Sequence, residues 1–179
     1  ILEWLKYCMY FAVFYMLTEL ADSLKWRFAA LWVIVASATG VSILGIDGAA
    51  GGGVAQGLNK ILRGLGAERD IFFDTFLNGR VQSTLQYPNA LAAYLMAVYF
   101  VCIGLIFASD KLWEKITGSA VCSILFLAFL LTTSRGAYVL FPLMAIIYLI
   151  LLPKGSRVRG TVLGIATIAP ALFSFFMIS

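Results

Sequence analysis

ITGSAVCSILFLAFLLTTSRGAYVLFPLMAIIYLILLP, residues Ile116–Pro153, runs for 38 residues with a single charge, Arg135. A membrane-crossing helix needs roughly 20 apolar residues. The stretch is therefore long enough for two, joined where Thr132, Thr133, Ser134, Arg135 and Gly136 interrupt it. It reads as an antiparallel pair of spans, Ile116–Ser134 and Gly136–Pro153, with an arginine held at a tight turn. Outward from this pair, uncharged runs predict spans at Pro88–Ser109, Gly160–Ser179 and Phe28–Ile46. Ile1–Leu20 is a sixth, with Glu3, Lys6 and Glu19 near its ends and Trp4 suited to an interface.

Composition points the same way. Of 179 residues, 62% are hydrophobic and 12% charged, and the mean hydropathy is +0.96. Soluble domains carry about 45–50% apolar and about 25% charged residues. That leaves too little polar surface for a soluble enzyme, and it also excludes a disordered segment or a disulfide-stapled secreted domain. The expected fold class is all-α: a polytopic integral membrane helical bundle of about six transmembrane helices, forming one membrane domain over residues 1–179. Its one long extracytoplasmic loop is Asp47–Tyr87. The chain opens at Ile1 inside an apolar run and closes at Ser179 after the uncharged Thr161–Ser179, which predicts an internal piece of a longer polytopic protein. With no basic n-region, the opening does not read as a signal peptide.

Orientation follows from where the charges lie within a net +4. Alternating the connections collects Lys25, Arg27, Lys111, Lys115, Lys154, Arg157 and Arg159 in three short loops on one side. Short basic loops face the cytoplasm. The opposite side receives Lys60, Arg63, Arg69, Arg80 and Arg135, diluted by Asp47, Glu68, Asp70 and Asp74. Within the outer loop, Gly48–Gly53 reads as a flexible link. Val54, Leu58, Ile61, Leu62 and Leu65 stand at helical spacing opposite Gln56, Lys60 and Arg63. That pattern predicts a short amphipathic helix, either lying on the outer membrane surface or packed on neighbouring loops.

Metal chemistry is not expected. The chain has no histidine, and Cys8, Cys102 and Cys122 sit in apolar runs without CxxC spacing. They read as small hydrophobes, leaving no ligand set for zinc or iron and no implied cofactor.

Two stretches concentrate the remaining polar chemistry. In GRVQSTLQYPN, Gly79–Asn89, Pro88 sits where a first helical turn tolerates proline, with Asn89 beside it. Helix starts attract anions, and Arg80, eight residues upstream of Pro88, is able to fold back over that mouth. Arginine suits bidentate phosphate recognition. The plainer reading is a helix start beside an arginine that reaches lipid phosphates. In LTTSRGA, Leu131–Ala137, Arg135 sits between two spans with almost no loop. Charges so placed are functional candidates, and the rival is a turn whose arginine finds headgroups. Alternation puts Arg80 and Arg135 on one membrane face. Asp70 and Asp74, near Arg80, are candidates for a base or for salt-bridge partners.

At these two motifs the chain resembles the O-antigen ligase and O-antigen polymerase family of bacterial membrane proteins. The family pattern has an arginine, a small residue three on, an apolar residue five on, and Pro-Asn at eight and nine. Arg80, Ser83, Leu85, Pro88 and Asn89 fit it, Leu91 and Ala92 continue into the helix, and Thr133–Ala137 matches a Thr/Ser-Ser-Arg-Gly-Ala sequence. The resemblance covers roughly residues 70–160, and it carries one departure: Ser83 stands where many members have glycine.

The resemblance implies transfer or polymerisation of a glycan from undecaprenyl diphosphate, at the outer leaflet of the bacterial cytoplasmic membrane, without a metal. The acceptor is a lipid, a polysaccharide or a protein, and nucleic acid is not a partner. It implies that Arg80 and Arg135 stabilise the departing diphosphate, with Asn89, Ser134 and Ser83 at the substrate. The family's ligases use a histidine in a later outer loop. This chain has none, so by the resemblance the piece alone is inactive. A reading from a different class is a secondary transporter in which the two arginines bind an anionic substrate, although the spans show no broken helix or repeat of the kind transporters use.

Overall fold

A computed structural model describes residues 8, 11–12, 15–16, 19, 23–67, 70, 75–85 and 87–178. They fall into two compact units, Ile1–Ile34 and Val35–Ser179. The expected span Ile1–Leu20 lies largely outside the described residues, as does Asp74. Everything below that concerns the site belongs to the second unit.

Among the described residues, four apolar segments are long enough to cross a membrane: α1 (Leu24–Ala49), α3 (Pro88–Ala108), α4 (Leu112–Leu131) and Lys154–Met177, most of which is α6 (Arg157–Ile178). The chain is a helical membrane protein. Between α4 and α6 lies α5 (Arg135–Leu151), apolar but only 17 residues long. At 1.5 Å per residue it spans about 26 Å, somewhat less than the roughly 30 Å hydrocarbon core. The expected Ile116–Ser134 span shifts towards the N-terminus. It starts at Leu112, where Glu114 suits the positive end of the helix, and stops at Leu131 because Thr133 takes a left-handed conformation (φ 49°).

α4 packs along both α3 and α6. The buried positions Leu91, Leu95, Val98, Cys102 and Leu105 recur every three or four residues down one face of α3. Gly118, Cys122, Leu125 and Phe129 do the same on α4. Small residues let the two backbones approach, and the Cys102 thiol lies 3.6 Å from the Gly118 carbonyl oxygen. Cys102 and Cys122 are buried, as small hydrophobes would be, whereas Cys8 is exposed. α5 is anchored through Phe141, whose ring centroid lies 4.9 Å from Phe126, 5.3 Å from Phe129 and 5.4 Å from Tyr99. Only Ala137 and Phe141 of that helix are buried.

The described residues of the expected loop Asp47–Tyr87 are organised by local chemistry. Gly48 belongs to α1 rather than to a link, and the chain turns at Gly51 (φ 110°) and Gly52 (φ 75°). The amphipathic helix is α2 (Gly53–Gly64). Asp47 caps it from the preceding helix: its carboxylate accepts from the Val54 amide (3.0 Å) and the Ala55 amide (2.9 Å), two donors that a helix start leaves unsatisfied. Ala55 and Asn59 face inward, while Val54, Ile61 and Leu65 stay exposed.

The sequence reading did not anticipate a β-hairpin, β1 (Phe76–Leu77) with β2 (Arg80–Val81), paired Phe76 with Val81 and Leu77 with Arg80. Its two-residue turn, Asn78 (φ 53°) and Gly79 (φ 73°), is left-handed at both positions, the requirement of a type I′ turn. A single 3-10 turn, Ser83–Leu85, then delivers the chain to α3.

Candidate functional site

One cavity of about 690 Å³ opens at this end of the bundle. Its polar lining is Arg80, Asn89, Thr133, Ser134 and Arg135, and Ala93, Met96 and Leu140 supply an apolar wall. Three segments distant in sequence meet there: the hairpin, the start of α3 and the α4–α5 turn. Of the five residues expected at the substrate, four line it. Ser83 does not. It is buried behind the hairpin, and its hydroxyl donates to the Val41 carbonyl oxygen of α1 at 2.6 Å.

Arg80 is held from two directions. Its Nε donates to the Thr132 carbonyl oxygen (2.9 Å) and its Nη2 to Asn89 Oδ1 (3.0 Å). The first bond satisfies a carbonyl at the C-terminal end of α4, where helices present unpaired acceptors and partial negative charge. A guanidinium has five N–H donors, so three of Arg80's remain after these two bonds. Arg135 differs: it is exposed and makes no hydrogen bond or ion pair among the described residues.

Backbone donors add to the side chains. Ser134 precedes α5 without a side-chain cap, and its carbonyl takes the Tyr138 amide at 3.0 Å. The amides of Arg135, Gly136 and Ala137 therefore have no acceptor within the helix. α3 likewise starts uncapped at Tyr87, with Pro88 in its first turn. Two helix starts and two guanidinium groups thus share one cavity, and no carboxylate lines it among the described residues. Asp70, one of the acidic candidates, is taken by Arg63 in a two-bond pair, 2.8 Å to Oδ1 and 2.7 Å to Oδ2.

Two lining or adjoining residues hold conformations that suit glycine. Thr133 has φ 49° and Ser83 φ 47°. A β-branched residue in that region is a genuine outlier, costing about 1–3 kcal/mol, and strain of this kind gathers at functional sites. At Ser83 the bond to Val41 offsets the strain, which separates two substitutions. Ser83→Ala keeps the strain and loses a bond worth about 1 kcal/mol. Ser83→Gly loses the bond but relieves the backbone. Thermal unfolding in detergent should show a clear drop for the alanine variant and a midpoint near wild type for the glycine variant. Equal losses would mean that the backbone there is not strained.

Gly45 and Gly48 escaped the sequence reading as positioning residues. A Cβ on Gly45 would come within 2.6 Å of Val81 Cγ1, and one on Gly48 would collide with Thr75 Oγ1. Their bare backbone lets α1 support the hairpin that carries Arg80. The spacing of small residues along a span was the available signal.

Compared with known proteins, the chain matches no family model, no curated protein and no solved structure.

Proposed function

We propose that this chain forms the diphosphate side of a membrane glycosyltransferase, which moves a glycan from undecaprenyl diphosphate to an acceptor hydroxyl at the outer leaflet of the bacterial cytoplasmic membrane. The carrying observation is the cavity itself, in which Arg135, without a side-chain partner among the described residues, lines the same space as the anchored Arg80 and two uncapped helix starts. Anionic ligands are favoured at such starts, and forked guanidinium donors match phosphate oxygens. The volume of about 690 Å³ falls within the range of roughly 300–1,000 Å³ usual for small-molecule sites.

In the proposed reaction the acceptor oxygen bonds to the anomeric carbon of the first sugar. The bond from that carbon to the phosphate oxygen breaks, and its electron pair leaves with the lipid diphosphate. Negative charge grows on the leaving group, and Arg135, the free N–H groups of Arg80 and the first amides of α5 are placed to stabilise it. Preorganised donors of this kind supply much of the rate enhancement where charge develops. The acceptor proton goes to a base outside this lining, since no carboxylate lines the cavity among the described residues and the chain has no histidine.

The direct test uses the full-length protein in liposomes supplied with glycan-loaded undecaprenyl diphosphate. Transfer product and free carrier diphosphate should appear together, and glycan-free undecaprenyl diphosphate should inhibit more strongly than the monophosphate. Uptake of an anionic solute with no glycan product would replace this reading with the transporter.

A further inference from the structure

At the opposite end of α4 a second, smaller cavity of about 210 Å³ is lined by Ile106, Phe107, Lys115, Arg159 and Leu163. It brings together cations from α4 and α6 against an apolar wall from α3 and α6. Two neighbouring basic groups are already occupied, and a third, Lys154, does not line the cavity. Lys111 pairs with Glu114 at 2.9 Å. Arg157 donates to the carbonyl oxygens of Leu152 (3.3 Å) and Ile150 (3.0 Å), closing the end of α5. Lys115 and Arg159 make no such bond among the described residues. Two like charges are left sharing one concavity, with no acidic side chain in its lining among the described residues.

Depth identifies what fits. From Lys115 to Thr132, α4 rises through 17 residues, about 26 Å, so this cavity lies most of a hydrocarbon thickness from the Thr132 end that holds Arg80. Trp113, 73% exposed and two residues before Lys115, has the character of an interfacial anchor. Basic pockets between transmembrane helices on the face bearing the short basic loops take anionic lipid headgroups. We infer that Lys115 and Arg159 form a binding site for the phosphodiester of an anionic membrane lipid, with its chains against Ile106, Phe107 and Leu163. The lipid is favoured over free phosphate because three of the five lining residues, Ile106, Phe107 and Leu163, are apolar and offer a free ion nothing. This site is independent of the glycan chemistry proposed above.

The test is retention of lipid by the full-length protein in detergent, measured by native mass spectrometry with phosphatidylglycerol and phosphatidylcholine as probes. Phosphatidylglycerol should bind preferentially. Its affinity should fall roughly fivefold on losing one cation and roughly thirtyfold in the Lys115→Gln/Arg159→Gln variant. Lys154→Gln removes a nearby charge that does not line the cavity, and should leave binding unchanged. The exchanged pair Lys115→Arg/Arg159→Lys keeps both charges and should keep binding, which separates loss of the site from loss of the fold. Equal retention of the two lipids, an equal loss in Lys154→Gln, or displacement of phosphatidylglycerol by millimolar inorganic phosphate would each overturn the assignment.

Discussion

Arg135→Lys is expected to lower glycan transfer by about 10²–10³-fold, the usual consequence of removing a preorganised donor from developing negative charge. The fold should be unaffected, because Arg135 is exposed and makes no bond among the described residues that the substitution would break. Lysine keeps the charge but offers a point rather than a planar fork, so the loss isolates bidentate geometry from simple attraction. Arg80→Lys should cost at least as much for a different reason. Its guanidinium bridges Thr132 and Asn89, and an ammonium lacks the planar fork that fits both acceptors and the ligand. Asn89→Asp is the sharper companion: it is nearly isosteric, yet it turns Arg80's neutral acceptor into an anion within the mouth. Transfer should fall while thermal stability holds or rises. Initial transfer rates and melting curves on the same preparations check all three, and full transfer by Arg135→Lys would remove the diphosphate role.

The second large effect acts through α1. Gly45→Ala puts a methyl group within 2.6 Å of Val81 Cγ1 and 3.4 Å of Ser83 Cβ. Val81 is fully buried, so it has little room to yield, and such overpacking costs about 1–3 kcal/mol. The strand carrying Arg80 must shift, and a displacement of about 1 Å at a reacting centre costs about 10²-fold. Gly40→Ala is the matched control. It lies in the same helix, and a Cβ there meets nothing within 4 Å. It should leave activity unchanged and stabilise the helix slightly, since alanine is favoured over glycine in helices. Equal activity in both variants would show that the hairpin does not depend on its support.

What the sequence made legible divides along physical lines. Four of the six expected spans could be read because lipid demands long uninterrupted apolar runs, and Arg135 marked a turn because nothing else in Ile116–Pro153 carries charge. The convergence of Arg80, Asn89, Ser134 and Arg135 on one face followed from alternating the spans. The hairpin was missed although Asn78–Gly79 is the strongest short hairpin signal. Its strands are only two residues each, too short for an alternating pattern to register. Gly48 was misjudged because a glycine that ends a helix and one that admits a neighbour look alike without the neighbour, here Thr75 and Phe76. Ser83 was placed at the substrate from its position in a motif, while its hydroxyl is committed to α1.

The route from Arg80 to Asn89 has one further implication, for how the chain tolerates insertions and deletions. A two-residue turn sets which face of β2 Arg80 occupies, and one 3-10 turn then carries the chain to Asn89 in time for a 3.0 Å bond. A residue added after Leu85 would change that spacing, and a one-residue slip within the hairpin would send Arg80 to the other face. Either should abolish transfer as completely as losing the arginine. The interval from arginine to Pro-Asn is therefore a folding constraint as well as a chemical one. Any chain that docks such a hairpin on such a helix must keep the same count, whatever its cavity holds.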